Sequence, residues 1–160
     1  MTNAEDRNLL LAAPFGTVRY LSTVSAENFA PKQPGDGKLR GTTLLLIEDD
    51  SDLRDLVSVI IEQEGGQIVL AHDGEDGLRR ALATSYDAIL LDLCLPLLDG
   101  FEVTRALRQA GRQEPVIAMT AAALNHEREQ CYQTGFDDYL TKPFTRKTLV
   151  DAVVRSLAKH

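Results

Sequence analysis

Five polar side chains stand where four short apolar segments of the chain end, and together they could carry out phosphoryl chemistry. They are Glu48 and Asp49 after the first segment, Asp92 after the second, Thr120 after the third and Lys142 after the fourth. Carboxylate oxygens are the ligands that Mg²⁺ prefers, and a carboxylate can attack phosphorus to form an acyl phosphate. A hydroxyl and an ammonium can donate hydrogen bonds to phosphoryl oxygens. The set therefore contains the groups needed to hold a divalent metal ion and to place a phosphoryl group on a carboxylate.

The apolar segments alternate with amphipathic ones, which predicts a parallel sheet with helices on both faces. Strands are predicted over residues 43–47, 67–71, 87–91, 115–119 and 138–141, and helices over 51–64, 74–85, 101–110, 122–134 and 146–158. In the second helix, Leu78, Ala81 and Leu82 are predicted to face inward. Ligands of such sheets bind at the carboxyl ends of the strands, so the five polar residues are predicted to share one crevice.

Each polar residue also has a plainer interpretation. An acid such as Asp50 suits the N-cap of the following helix, and Thr120 could cap the next one. Asp92 could be a turn acid, although a charge next to four apolar residues is costly to bury unless it is paired or metal-bound. Lys142 could be an exposed lysine, whereas a cis peptide before Pro143 would aim it over the crevice and allow it to pair with Asp92.

Composition excludes several classes of protein. The 160 residues carry a formal net charge of -7, whereas a nucleic-acid binder is normally basic. Two cysteines make neither a disulfide framework nor a zinc pattern, and they suit a reducing compartment. No apolar run reaches the roughly 18 residues that a membrane span needs. We therefore expect a cytoplasmic protein that contacts neither nucleic acid nor membrane.

The chain is predicted to divide after residue 41. Residues 31–41 hold two prolines and three glycines, which is typical of a linker, so residues 1–41 are interpreted as an N-terminal extension that is poorly ordered or loosely docked. Residues 42–160 would form the folded domain. Its fourth helix has an apolar stripe of little more than Leu124 and Cys131. Because helices are held mainly by their apolar faces, this helix is predicted to be the easiest to displace.

Four motifs resemble those of the receiver domain of two-component response regulators. They are IEDD at 47–50, LLDLCLPLLDG at 90–100, AMTA at 118–121 and YLTKPF at 139–144. The resemblance covers residues 42–158. It implies an α/β fold of the flavodoxin-like (βα)5 type, which is a doubly wound parallel sheet with strand order 2-1-3-4-5.

The resemblance also implies a metal site and a phosphoacceptor. Asp92 would take a phosphoryl group from a histidine of a sensor histidine kinase or of a histidine phosphotransfer protein. Mg²⁺ would be bound by Asp92, by Asp49 directly, by Glu48 through water and by the backbone carbonyl of Cys94.

A conformational switch is the third implication of the resemblance. Thr120 and Lys142 would contact the phosphoryl group, and Tyr139 would be the aromatic residue that turns inward when Thr120 moves. The face formed by the fourth helix, the fifth strand and the last helix would then control a downstream protein partner. Homodimerisation through the last two elements stays open.

Alternatives to a phosphoacceptor receiver remain. A phosphohydrolase of the haloacid dehalogenase type uses similar groups, but it needs a second acid two residues after the nucleophile, where this chain has Cys94. A receiver-like domain that only binds partners would lack part of the polar set, and none of it is missing. We therefore expect a protein that catalyses only its own phosphorylation and dephosphorylation. It would be a stand-alone receiver or the C-terminal receiver of a hybrid histidine kinase.

Overall fold

Five strands alternate with five helices in the computed structural model, which describes residues 37–121 and 125–159. The strands are β1 (Thr43–Ile47), β2 (Gln67–Ala71), β3 (Ala88–Asp92), β4 (Val116–Thr120) and β5 (Asp138–Thr141). The helices are α1 (Ser51–Gln63), α2 (Gly74–Ala83), α3 (Gly100–Gln109), α4 (Asn125–Thr134) and α5 (Arg146–Leu157).

The sheet is parallel throughout and has the strand order β2-β1-β3-β4-β5. This order and the flavodoxin-like architecture confirm the prediction. The strands β3 and β4 each begin and end one residue later than predicted. Asp92 and Thr120 are therefore the last residues of these strands rather than the residues that follow them. Asp92 lies opposite Met119 and Thr120 lies opposite Thr141. The carboxyl ends of the strands are therefore aligned along one edge of the sheet.

Two apolar layers cover the sheet, because successive residues of a strand point to opposite faces. One layer joins Leu44 and Leu46 of β1 to residues of α1 and α5. The other joins Leu45 and Ile47 to residues of α2, α3 and α4. Every residue of β3 and β4 is buried, as expected for central strands that helices cover on both sides.

The prediction that Leu82 faces inward is wrong. Its side chain is 45% exposed, and α2 ends at Ala83, two residues earlier than predicted. The buried side of α2 consists of Gly74, Gly77 and Ala81, and Leu82 is turned about 100° away from Ala81. These small residues let α2 approach the sheet closely, since a Cβ on Gly77 would lie 2.4 Å from Cδ1 of Ile47.

Residues 37–41 pack against the folded domain, although the sequence assigns them to the linker. Leu39 is fully buried in the layer of α1 and α5. The amide of Leu39 donates to the carbonyl of Glu64 at 2.9 Å, and the amide of Lys38 donates to Oε2 of the same residue at 3.1 Å. Arg146 pairs with Oε1 of Glu64 at 2.9 Å. Packing thus begins before Thr42, whereas residues 1–36 lie outside the described residues.

The fourth helix has a narrow buried side, as predicted. Among the residues of α4 whose burial is described, Cys131 alone is buried, with 2% exposure. Residues 122–124, which the prediction places in this helix and which include Leu124, lie outside the described residues. Across the described ranges, no helix has the length and the apolar character that a membrane crossing requires.

Candidate functional site

Three carboxylates meet at the carboxyl edge of the sheet. Glu48 follows β1 and stays in the sheet, because its amide donates to the carbonyl of Ala71 at 3.2 Å. Glu48 is buried with 1% exposure, Asp92 at the end of β3 is buried, and Asp49 is exposed. One carboxylate oxygen from each of the three lies within 4.8 Å of the other two. The strands β1 and β3 are neighbours, which is why the sequence-separated acids come together.

Lys142 reaches this cluster from the far side of β4. Its amide donates to the carbonyl of Thr120 at 2.7 Å, and its peptide bond to Pro143 is cis. Its ammonium nitrogen Nζ lies 3.1 Å from Oδ2 of Asp92, the partner that the sequence suggests. The same nitrogen lies 2.8 Å from Oε2 of Glu48. One cation therefore bridges two buried carboxylates.

Burial dominates the electrostatics of Glu48. It raises the pKa of the Glu48 carboxyl from 4.5 to about 7; the hydrogen bond from Lys142 opposes this rise and the charge of Asp92 adds to it. Burial alone would lower the pKa of Lys142, but the hydrogen bond to Glu48 and the charges of Glu48 and Asp92 outweigh it and raise that pKa above its usual value. Lys142 thus stays charged, while Glu48 exchanges a proton near neutral pH.

The loop between β3 and α3 closes over Asp92. The amide of Cys94 donates to Oδ1 of Asp92 at 3.2 Å, and the amide of Gly100 donates to the carbonyl of Leu93 at 3.1 Å. A Cβ on Gly100 would lie 2.5 Å from the carbonyl oxygen of Asp92 and 2.9 Å from Cα of Leu93. This position therefore needs glycine so that α3 can begin directly beside the acidic residue. The side chain of Cys94 is exposed.

Arg54 contacts the acidic loop, and the sequence analysis missed it. Its Nη1 donates to the backbone carbonyls of Glu48 and Asp49 at 2.7 and 2.8 Å. An arginine on an amphipathic helix is usually a surface residue, so the sequence pattern did not indicate a role for Arg54. The available signal was its position one turn into α1, directly after a loop whose carbonyls need donors.

Thr120 and Tyr139 occupy the neighbouring strands. Thr120 is buried at the end of β4, where its carbonyl binds the amide of Lys142. Tyr139 lies in the middle of β5 and is half-buried. Arg128 of α4 lies over its ring, 4.4 Å from the centroid, and Tyr132 meets it edge to face at 6.4 Å. The sequence-predicted switch aromatic therefore contacts α4 rather than the carboxylate cluster.

The donor set fits a hard divalent cation. The side-chain ligands that the cluster offers are all carboxylate oxygens, which suit Mg²⁺, Ca²⁺ or Mn²⁺ better than zinc, since zinc favours nitrogen and sulfur. Mg²⁺ usually binds one or two carboxylates and keeps several waters. The exposure of Asp49 beside two buried acids leaves room for such waters.

The match to a known protein family agrees with this fold and site. The sequence model described as the response regulator receiver domain matches residues 44–154. The chain belongs to this family of two-component receiver domains.

Two transcriptional regulators illustrate the similarity to known proteins. The chain is 40% identical over 117 residues to the transcriptional regulatory protein CpxR of Escherichia coli K12, a match that covers 73% of this chain and 49% of that protein. It is 36% identical over 107 residues to the transcriptional regulatory protein DltR of Streptococcus agalactiae, a match that covers 67% of this chain and 48% of that protein. The chain spans about half the length of the curated relatives it matches.

Solved receiver structures share the fold. The receiver domain of a sensor histidine kinase from Pseudomonas aeruginosa PAO1, with a magnesium ion coordinated in its active-site cleft, is 40% identical with a TM-score of 0.68. That match covers 74% of this chain and 98% of that one. The receiver domain of a Francisella response regulator has a TM-score of 0.71 at 29% identity. That match also covers 74% of this chain and 98% of the other chain.

Proposed function

We propose that this chain is a phosphoacceptor receiver that takes a phosphoryl group from a phosphohistidine onto Asp92. The observation that carries the proposal is the position of Asp92: its buried carboxylate contacts the ammonium of Lys142 and lies within 4.8 Å of the carboxylates of Glu48 and Asp49. The phosphohistidine would belong to a sensor histidine kinase or to a histidine phosphotransfer protein. Membership in the receiver family supports this choice of donor.

Mg²⁺ is the proposed cofactor. Asp49, Asp92 and the backbone carbonyl of Cys94 would hold it directly, and Glu48 would hold it through water. Bound there, the ion would offset the charge of the acidic cluster and of the phosphoryl oxygens. The oxygen donor set and the magnesium-bound receiver from Pseudomonas aeruginosa support this assignment.

The proposed transfer exchanges one bond to phosphorus for another. A carboxylate oxygen of Asp92 attacks phosphorus, the bond from phosphorus to the histidine nitrogen breaks, and the nitrogen keeps the electron pair and takes a proton. Lys142 and the hydroxyl of Thr120 donate to phosphoryl oxygens. Attack of water on phosphorus later restores the carboxylate and releases inorganic phosphate. In this proposal the chain acts on its own side chain and is not an enzyme for other substrates.

The output of the site is proposed to be a shift of α4. Phosphorylation adds negative charge and acceptor oxygens, which would draw Thr120 and Lys142 towards Asp92. The movement of Thr120 would leave space into which the ring of Tyr139 can turn. The ring of Tyr139 contacts Arg128 and Tyr132 of α4, and α4 has a narrow buried side. The face of α4, β5 and α5 would therefore change shape and control a protein partner.

Two biological settings suit the same chemistry. The relatives whose length is matched to about half are transcriptional regulators, and the receiver of a sensor histidine kinase is 40% identical. We propose that the chain works in the cytoplasm, either as a receiver that acts on a partner protein or as the receiver portion of a hybrid histidine kinase. The net charge of -7 argues against nucleic-acid contact by this chain itself.

Labelling with acetyl phosphate tests the proposal. Intact mass spectrometry should detect one added phosphoryl group on the wild type with Mg²⁺, none with EDTA, and none on Asp92→Asn. An unlabelled wild type at saturating Mg²⁺ would instead indicate a domain that only binds partners. Turnover of an added phosphomonoester such as p-nitrophenyl phosphate would indicate a phosphohydrolase.

A further inference from the structure

We propose that Arg54 is a positioning residue for metal binding, because it holds the loop that carries Glu48 and Asp49. This inference rests on the proposed function of the acidic cluster. Nη1 of Arg54 donates to the carbonyls of both acidic residues, at 2.7 and 2.8 Å. Arg54 itself is fixed in the first turn of α1, where Asp50 caps the helix by accepting from the amide of Leu53 at 3.0 Å.

The peptide group between Asp49 and Asp50 is held at both ends. Its carbonyl accepts from Arg54, and its amide donates to Oε1 of Glu48 at 3.2 Å. The second contact uses a carboxylate that belongs to the acidic cluster, so a metal ion or its waters would compete for it. The contact from Arg54 uses backbone oxygens instead. It would therefore continue to orient the loop if the carboxylate of Glu48 turned towards a cation.

The orienting role and the positive charge of Arg54 predict opposite effects of its removal on Mg²⁺ binding. As a positive charge beside the loop that carries Glu48 and Asp49, the guanidinium would repel a cation, so its removal would tighten Mg²⁺ binding if charge alone mattered. As the group that orients the loop, it keeps Asp49 close to Glu48 and Asp92, so its removal would weaken Mg²⁺ binding. Groups that orient metal ligands typically contribute about 10–100-fold to metal affinity. The direction of the change therefore separates the two roles.

The test measures the rate of labelling by acetyl phosphate as a function of Mg²⁺ concentration. For Arg54→Gln we expect the half-saturating Mg²⁺ concentration to rise by about tenfold and the rate at saturating Mg²⁺ to be retained, as expected when binding alone is weakened. Arg54→Lys should recover part of the loss, because one nitrogen makes both contacts and an ammonium offers three donors. Arg54→Met, which keeps an apolar stem, replaces Arg54→Gln if that variant does not fold.

Arg108 provides the matched control. It is also partly buried and donates to backbone carbonyls, those of Gly135 at 2.8 Å and Arg112 at 2.9 Å, at the opposite edge of the sheet. Arg108→Gln should lower the melting temperature and keep the wild-type Mg²⁺ dependence.

Three outcomes would overturn the role of Arg54. They are an unchanged half-saturating Mg²⁺ concentration in Arg54→Gln, a lower one, or an equal rise in Arg108→Gln. A wild type without Mg²⁺-dependent labelling would overturn the proposed function together with this inference. A labelled wild type with unaffected Arg54 variants would overturn the inference alone.

Discussion

The ammonium of Lys142 makes its shortest ion pair with Glu48, at 2.8 Å between Nζ and Oε2. Asp92, the partner suggested by the sequence, lies slightly farther away at 3.1 Å. Lys142 thus connects the loop after β5 to the ends of β1 and β3, on the other side of β4. In the absence of a metal ion this single cation offsets two buried carboxylates, and several properties of the site depend on it.

Removing the charge of Lys142 should destabilise the protein when no metal is present. Lys142→Met leaves two buried carboxylates without their cation, so we expect the free energy of unfolding in EDTA to fall by about 1–3 kcal/mol. Proton uptake by Glu48 limits the loss. Mg²⁺ should reduce the difference from wild type, because it supplies positive charge to the folded state only. Urea unfolding with EDTA and with Mg²⁺ measures both effects.

Lys147 is the control for that experiment. It pairs with Asp151 one turn along α5, and its side chain is 84% exposed. Lys147→Met should leave the unfolding curve unchanged in both buffers. A Lys142→Met curve that matches wild type in EDTA would contradict the importance of the bridge.

The raised pKa of Glu48 predicts that stability in EDTA falls as pH rises. Its carboxyl has an ordinary pKa of 4.5 and a pKa of about 7 in the folded protein, so the folded state binds the extra proton between these values. The associated stability is fully present below about pH 4.5 and is lost as pH rises through 7. Glu48→Gln removes this titration. Between pH 5 and pH 8 the free energy of unfolding of Glu48→Gln should therefore fall by about 1–3 kcal/mol less than that of wild type.

Denaturant unfolding at several pH values in EDTA measures the difference. The pKa of Lys142 does not affect this comparison between pH 5 and pH 8, because it is raised above its ordinary value of 10.5. Identical pH slopes for wild type and Glu48→Gln would show that Glu48 keeps an ordinary pKa in the folded state.

A methyl group at Gly100 should disturb Asp92, the proposed phosphoacceptor. The added Cβ would overlap backbone atoms of Asp92 and Leu93, so the loop or α3 has to move, and overpacking of this kind costs about 1–3 kcal/mol. Gly100→Ala should therefore lower stability and slow labelling by acetyl phosphate at saturating Mg²⁺. Gly66→Ala is the control: its Cβ would crowd Ile61 at the opposite edge of the sheet, at 2.9 Å. Equal labelling rates in the two variants would argue against the predicted disturbance.

Leu39 should contribute to stability like a core residue, although it stands in a segment with linker composition. Leu39→Ala empties a fully buried site, and such changes cost about 2–5 kcal/mol. Leu82→Ala makes the same chemical change at a side chain that is 45% exposed, where about 0.5 kcal/mol or less is expected. Urea unfolding compares the two. Similar losses would mean that residues 37–41 do not pack on the domain in solution.

The sequence alone was sufficient to predict the strands, the helices and the edge at which the acidic residues lie. Buried parallel strands have continuous apolar segments and surface helices have apolar stripes, so both are visible in local patterns. The positions of Glu48, Asp92 and Thr120 at strand ends follow from those patterns. Strand order came from the resemblance of four motifs to receiver domains, which local patterns do not encode.

The tertiary structure decided what depends on contacts between distant parts of the chain. The bridge from Lys142 to Glu48 joins residues 94 positions apart, and the burial of Leu39 depends on a layer that α1 and α5 form around it. Leu82 is exposed because small residues, rather than larger apolar ones, face the sheet from α2. Each of these features is set by which surfaces meet after folding, and no local pattern of residue types carries that information.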